Sequence, residues 1–284
     1  MKQLRETKVE WTGRSSEKFQ LTSDQLGMYH LVIAPEVGKD IEAWVDFYKY
    51  YSERQHLSQG QWIISRPTVV LDNGAFEGEL WTPKAIDMIA FLLAEFADVI
   101  VCLPDALGMG NETAKLSRHA IQEYLALHSE RIPYKFAYIT QGHSMESVLE
   151  SAYDFVSFYP AVDYLMVPRL LVKALGSRQE VVSALIDSYN KPIHLLGFSD
   201  DIEDDLSTLV NYRCVGIDSA EPIWVGDITS GDYDLRGGRP KDYFQWTMLP
   251  EHATKNIQEV RGRIHRKAGP IWTAATAAPE DSSG

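Results

Sequence analysis

Along the chain, short and almost unbroken apolar runs alternate with longer segments whose apolar positions recur every three or four residues. The short runs are 31–35 (LVIAP), 68–72 (TVVLD), 99–105 (VIVCLPD), 134–142 (YKFAYITQG), 164–168 (YLMVP), 192–197 (PIHLLG) and 214–219 (CVGIDS). Rich in Val, Ile and Tyr, they read as strands buried on both faces. The longer segments, 40–54, 83–96, 111–129, 144–157, 178–189 and 200–210, have the length and period of helices. Several open on capping residues: Thr82 before Pro83, Ser144 with Ser147, Ser177, and Asn111 with Thr113 for the third helix.

Strands and helices in strict alternation imply right-handed βαβ units and a parallel sheet. An open doubly wound sheet and a closed (β/α)₈ barrel both absorb this order. No glycine-rich phosphate fingerprint follows the first strand, which weakens the dinucleotide-binding version. Asp72, Asp105, Gln141 and Asp218 stand at the C-terminal ends of four different strands. In a barrel those ends converge on one mouth, where barrel active sites lie. The expectation is an α/β chain with a (β/α)₈ TIM-like barrel over residues 1–235, of which about 25 residues at the N-terminus are a lead-in. The eighth strand is expected within 222–249 or near the N-terminus. Residues 236–272 form a basic segment packed on the barrel, and 273–284 a flexible tail.

The length, 284 residues, suffices for a substantial core, and 45% hydrophobic with 24% charged residues excludes collagen-like, disordered and disulfide-scaffold chains. A formal charge of −13 argues against coating nucleic acid through overall positive charge. The charge is unevenly spread. Residues 236–267 hold eight basic side chains (Arg236, Arg239, Lys241, Lys255, Arg261, Arg263, Arg266, Lys267) against three acids, a local +5. With Tyr243, Phe244, Trp246 and Met248 among them, the stretch reads as ordered structure. It is either a phosphate-binding surface or a solvated helix face. Two cysteines, Cys102 and Cys214, support neither a disulfide framework nor a thiolate zinc site. A polar N-terminus and no transmembrane-length apolar run lead to the expectation of a cytoplasmic protein with no membrane partner.

Each strand-end residue has a bland and a chemical reading. Asp72-Asn73-Gly74-Ala75 is a tight turn, or a turn that lets a flat ligand approach the backbone. Asp105 is a helix cap, or an acceptor pair for the N–H groups of a nucleobase edge. Gln141 is a solvent-facing turn residue, or a donor and acceptor for the same base. Asp218 leaves a deeply buried strand, which fixes its orientation. His194, in the adjoining run, reads as a satisfied core histidine. The chain shows no nucleophile elbow, no HxxxH or HxH metal spacing and no Walker A motif. No metal or cofactor is therefore expected. Carboxylates from several strand ends suit chemistry at an anomeric carbon, with one attacking and another moving protons. Glycosidase, aldolase-like lyase and transglycosylase all remain open on these residues.

The ordered set of segments resembles the tRNA-guanine transglycosylases, and more closely their phage and bacterial relatives of the DpdA type that insert 7-deazaguanines into DNA. Asp72-Asn73-Gly74-Ala75-Phe76 is similar to that family's Asp-Ser-Gly-Gly-Phe segment. Asp105 falls where the family has its base-recognising Asp, and Gln141-Gly142 matches its base-reading Gln-Gly. His194-Leu195-Leu196-Gly197-Phe198-Ser199 with Asp200 resembles its Leu-Met-Gly-Val-Gly segment. Gly216-Ile217-Asp218 with Pro222 is similar to the segment of its nucleophile.

The resemblance implies a (β/α)₈ barrel with Asp218 as nucleophile at C1′ and Asp72 as general acid/base. Asp105 and Gln141, with Gly142, Asn73 and Gly197, would hold the base. It implies base flipping or a single-stranded substrate, a free 7-deazaguanine such as preQ0 as incoming base, and no cofactor. Three departures stand out. The zinc site of the tRNA enzymes cannot be built from two cysteines, there is no room for added RNA-binding domains, and Val167-Pro168-Arg169 replaces a glycine-rich segment. These tilt the expected polymer from tRNA to DNA, held by Arg236, Arg239, Lys241, Arg261, Arg263 and Arg266. A tRNA enzyme and a non-catalytic nucleic-acid-binding partner subunit are the alternatives.

Overall fold

The computed structural model describes residues 29–52, 56–58, 61–63, 66–74, 82–128, 132–159, 161–199, 201–212, 214, 216–218, and the helical positions 255, 256, 259, 260, 262, 263, 266 and 267. In chain order the elements are β1 (Tyr29–Ile33), α1 (Ala34–Gly38), α2 (Ile41–Ser52), a hairpin of β2 (His56–Ser58) and β3 (Gln61–Ile63), β4 (Thr68–Asp72), α3 (Pro83–Leu93), β5 (Asp98–Cys102) and α4 (Gly110–Leu127). There follow β6 (Lys135–Ile139), α5 (Met145–Phe158), β7 (Val162–Pro168), α6 (Leu170–Leu175), α7 (Arg178–Tyr189), β8 (Ile193–Leu196), α8 (Ile202–Asn211) and β9 (Gly216–Asp218). All seven expected strands and all six expected helices are present. The short α1 and α6 and the β2–β3 hairpin were not foreseen, because each is too brief to show a period.

Local chemistry explains the helix starts. Thr82 accepts from the Ala85 N–H with Pro83 in the first turn. Ser144 and Ser147 form a reciprocal capping box, and Ser177 accepts from the Glu180 N–H. Asn111 does not open α4. That helix starts at Gly110 without a side-chain cap. Thr113 instead holds both the N–H and the carbonyl of Ala106, at 2.9 and 3.1 Å, and so fixes the loop after β5.

Strands β1, β4, β5, β6, β7, β8 and β9 pair in that order, every neighbour parallel, and form a nearly closed barrel. Closure follows from the side chains. Alternate residues divide into two clusters: Val69, Leu71, Val99, Val101, Phe136, Tyr138, Leu165, Val167 and Leu195 pack against the helices. Leu31, Val70, Ile100, Cys102, Ala137, Ile139 and Met166 pack against one another inside the barrel. The Cys102 and Met166 sulfurs meet at 3.3 Å across the interior, from strands that are not neighbours in the sheet. A curled sheet brings such side chains together. The region expected to supply an eighth strand, 222–249, lies outside the described residues, as do the N-terminal lead-in and the tail.

The C-terminal helical positions lie on this body. Val260 belongs to the main core cluster and Asn256 is fully buried. Among the described residues no helix is long and apolar enough to cross a membrane.

Candidate active site at the barrel mouth

Because all seven strands run the same way, their C-terminal ends share one rim. Asp72 ends β4 and Asp218 ends β9, while Asp105, Gln141 and Gly197 follow the ends of β5, β6 and β8. Val70 faces the barrel interior, so Asp72, two residues on, does too. Asp72, Asp105 and Asp218 all lie near enough to the buried Cys102 thiol to push it up, adding to the larger effect of burial. Three carboxylates from distant parts of the chain therefore lie within electrostatic reach of one thiol. Cys102 beneath them is a protonated, inert floor, and burial likewise pushes the Cys214 thiol up to about 12.

Asp105 is the most elaborately held of the three. Its Oδ2 accepts from Gln141 Nε2 at 2.7 Å and its Oδ1 from Asn73 Nδ2 at 3.5 Å. Burial raises its pKa above the ordinary carboxylate value, while these amide donors pull the other way. Gln141 is 1% exposed, and its Oε1 accepts from the Gly108 N–H at 2.9 Å. Since a backbone N–H can only donate, that bond fixes the amide's orientation. Asn73 is also buried and donates to the Leu103 carbonyl at 3.0 Å. Gln141 and Asn73 are thus braces for Asp105 in this structure.

Gly142 meets packing rather than open space. A Cβ there would lie 2.6 Å from Ser147 Oγ and 2.9 Å from the Val148 backbone N, against the start of α5. Asp72 closes a turn, with its Oδ1 accepting from the Gly74 N–H at 3.2 Å where Gly74 has a φ of 79°.

Asp218 is 16% exposed at its side chain and is held from β8. Its Oδ1 lies 2.9 Å from His194 Nε2 and accepts from the Gly197 N–H at 3.3 Å. Gly197 adopts φ 70°, a backbone state that suits glycine, and a Cβ there would approach Arg169 Cδ at 3.2 Å. His194, read from sequence as a core residue, is indeed fully buried, yet it contacts the candidate nucleophile.

Arg178 was not singled out in the sequence. It is fully buried and its guanidinium donates to the carbonyls of Val167, Leu196 and Gly197 at 2.6, 2.6 and 2.7 Å. It also pairs with buried Asp205 at 2.9 Å, whose other oxygen takes the Ser199 N–H. The ends of β7 and β8 and the loop carrying Gly197 are thereby pinned to α8. One sequence signal existed: a cation in the first turn of a helix opposes the helix dipole, so something must hold it there.

Of the proposed phosphate-binding residues, Arg236, Arg239, Lys241 and Arg261 lie outside the described residues. Arg263 sits between Glu259 and Glu203, at 3.0 and 3.1 Å. Arg266 pairs with Glu259 at 3.0 Å, and Lys267 with Glu203 at 2.9 Å. These partners hold both glutamates below the usual carboxylate range, Lys267 contributing most at Glu203 and Arg263 at Glu259.

The fold and the rim define a class: an α/β barrel whose strand-end carboxylates gather over a buried interior. Among the described residues no group of three or more His, Cys, Asp or Glu side chains has an arrangement that could hold a metal ion. Comparison with protein-family models and with curated proteins gives no match.

Proposed function

We propose that the chain is a transglycosylase that exchanges guanine in DNA for a 7-deazaguanine base such as preQ0 through a covalent Asp218–sugar intermediate. The observation that carries this reading is the convergence of Asp72, Asp105 and Asp218 over one barrel mouth, around Cys102. The ordered resemblance of the strand-end segments to the guanine transglycosylases supports it. So does the way Asn73 and Gln141 hold Asp105 as a double acceptor suited to the paired N–H donors on the Watson–Crick edge of guanine. In the same reading, an eighth strand from 222–249 completes a (β/α)₈ barrel.

The chemistry balances without an external reagent. An Asp218 oxygen attacks C1′ of an extruded nucleotide, the C1′–N9 bond breaks, and the departing guanine takes a proton from Asp72. The incoming 7-deazaguanine returns that proton to Asp72 as its N9 attacks C1′ and releases Asp218. Two displacements retain the configuration at C1′. A barrel mouth admits a base only once it has left its stack, so the substrate is single-stranded or flipped.

Incubating the protein with guanine-labelled DNA or tRNA and free preQ0 tests the reading. The expected result is release of labelled guanine from DNA and a denaturation-resistant protein–DNA adduct that Asp218→Ala abolishes. Release from tRNA alone transfers the activity to RNA. Release from neither polymer removes the base-exchange reading.

A further inference from the structure

We infer that His194 is the positioning residue of the nucleophile: its imidazole orients Asp218 and makes the first displacement sensitive to histidine protonation. This rests on the reading of Asp218 as nucleophile. In β8, Ile193 and Leu195 face the helices, so His194 faces the barrel interior. The β8–β9 register sets His194 opposite Gly216 and Leu196 opposite Asp218. Gly216 brings no side chain to that level, and the imidazole rises past it to Asp218 Oδ1 at 2.9 Å. The second donor, the Gly197 N–H, reaches the same oxygen. Two donors on Oδ1 fix the carboxylate plane. Among the described residues no donor is placed on Oδ2, which leaves that oxygen to form the bond to C1′.

An ionised carboxylate only accepts, so Nε2 must carry the proton in this contact. A neutral imidazole with its proton on Nε2 orients Asp218 and leaves it one full negative charge for attack. An imidazolium there stabilises the carboxylate before reaction, and so slows formation of the sugar ester. The reverse step, departure of Asp218, gains from the same stabilisation. Among the described residues, the other ionisable groups turned into or over the barrel are Asp72 from β4, Cys102 from β5, Tyr164 from β7, Asp105 above them, and Arg169 packed against Gly197. Lys135 of β6 lies over the Tyr164 ring, at the first residue of its strand and away from the mouth.

The test compares wild type, His194→Gln and His194→Phe for the first-turnover rate of guanine release at saturating DNA across pH. Wild type should lose rate on the acid side as His194 takes up a second proton. His194→Gln keeps a donor but cannot titrate. It should move that limb down by at least about one pH unit with a plateau within about tenfold of wild type. His194→Phe lacks the donor and should lose about 100-fold at the plateau, the scale of a misplaced reacting group. An unmoved acid limb in the Gln variant, or an intact plateau in the Phe variant, overturns the inference.

A second arm does not need turnover. The imidazole ¹⁵N and ¹H resonances of His194 should report an Nε2–H proton in wild type and a changed titration midpoint in Asp218→Asn. Identical titration in the two proteins overturns the assignment. If no polymer releases guanine, the base-exchange reading falls, and the NMR arm still decides whether His194 and Asp218 are coupled.

Discussion

At the scale of single residues, the site is built on tension between burial and charge. Asp105 is held in a largely buried setting where desolvation favours its neutral form, and the amides of Gln141 and Asn73 counter this without adding charge. The sign of the consequence is definite. Because its pKa is raised in the folded protein, Asp105 takes up a proton at a pH above its ordinary 3.8. Protonation removes an acceptor site just where two ligand N–H groups would bind. Affinity for guanine nucleotides should therefore fall as the pH is lowered through the acidic range, before unperturbed aspartates titrate. Measured as KM, this limb should vanish in Asp105→Asn along with most binding. A KM that is flat across that range would detach Asp105 from base recognition. The His194 effect is read at saturating substrate, so the two limbs separate.

At the scale of elements, the loops over the rim are the parts that need holding, and the holding groups come from beneath. Arg178 contributes several donors from a rigid planar group to three carbonyls at the strand ends and the loop beyond them. With Asp205 it forms an ion pair of which neither side chain is exposed. Removing one partner of such a pair leaves a buried uncompensated charge and costs about 3–5 kcal/mol. Arg178→Met should lower stability by that amount in urea denaturation, and should also loosen the Gly197 N–H donor to Asp218. A loss under about 1 kcal/mol would show that the clamp is replaceable. Gly142 belongs to the same tier. Its place in a motif expected to read a base is explained at least as well by the close approach of α5.

Taken as a whole molecule, the protein segregates charge: an acidic body with carboxylates at its mouth, and a basic C-terminal stretch within a chain of net −13. A polyanion bound to such a body needs a cationic contact away from the mouth. The C-terminal helical positions are candidates, yet they differ in what they can offer. Arg263 is enclosed by Glu203 and Glu259 and is only 25% exposed, whereas Arg266 is 64% exposed and among the described residues pairs with Glu259 alone. Each phosphate contact adds about 0.9 to the slope of log affinity against log salt. Arg266→Ala should flatten the slope for DNA binding by about that much. Arg263→Ala should leave the slope near its wild-type value and instead weaken the attachment of Val260 and Asn256 to the body, seen as earlier proteolysis of the C-terminus. Equal slope changes for both variants would place both on phosphates.

The sequence by itself determined the elements and their order. The strands, the longer helices and the caps at Thr82, Ser144 and Ser177 are written in patterns spanning only a few neighbouring residues. The same period located the strand ends, and with them Asp72, Asp105, Gln141 and Asp218 on one rim. What each of these side chains touches was decided only by tertiary structure. The bonds from Gln141 to Asp105 and from His194 to Asp218 span 36 and 24 residues, and they depend on how adjoining strands register as the sheet curls. No local pattern encodes that registration. Curling set Gln141, expected to meet a base, against Asp105 as a brace, and gave the core histidine His194 a carboxylate partner. It also enclosed Arg178, whose reason for standing at a helix start lies in carbonyls contributed by two other strands.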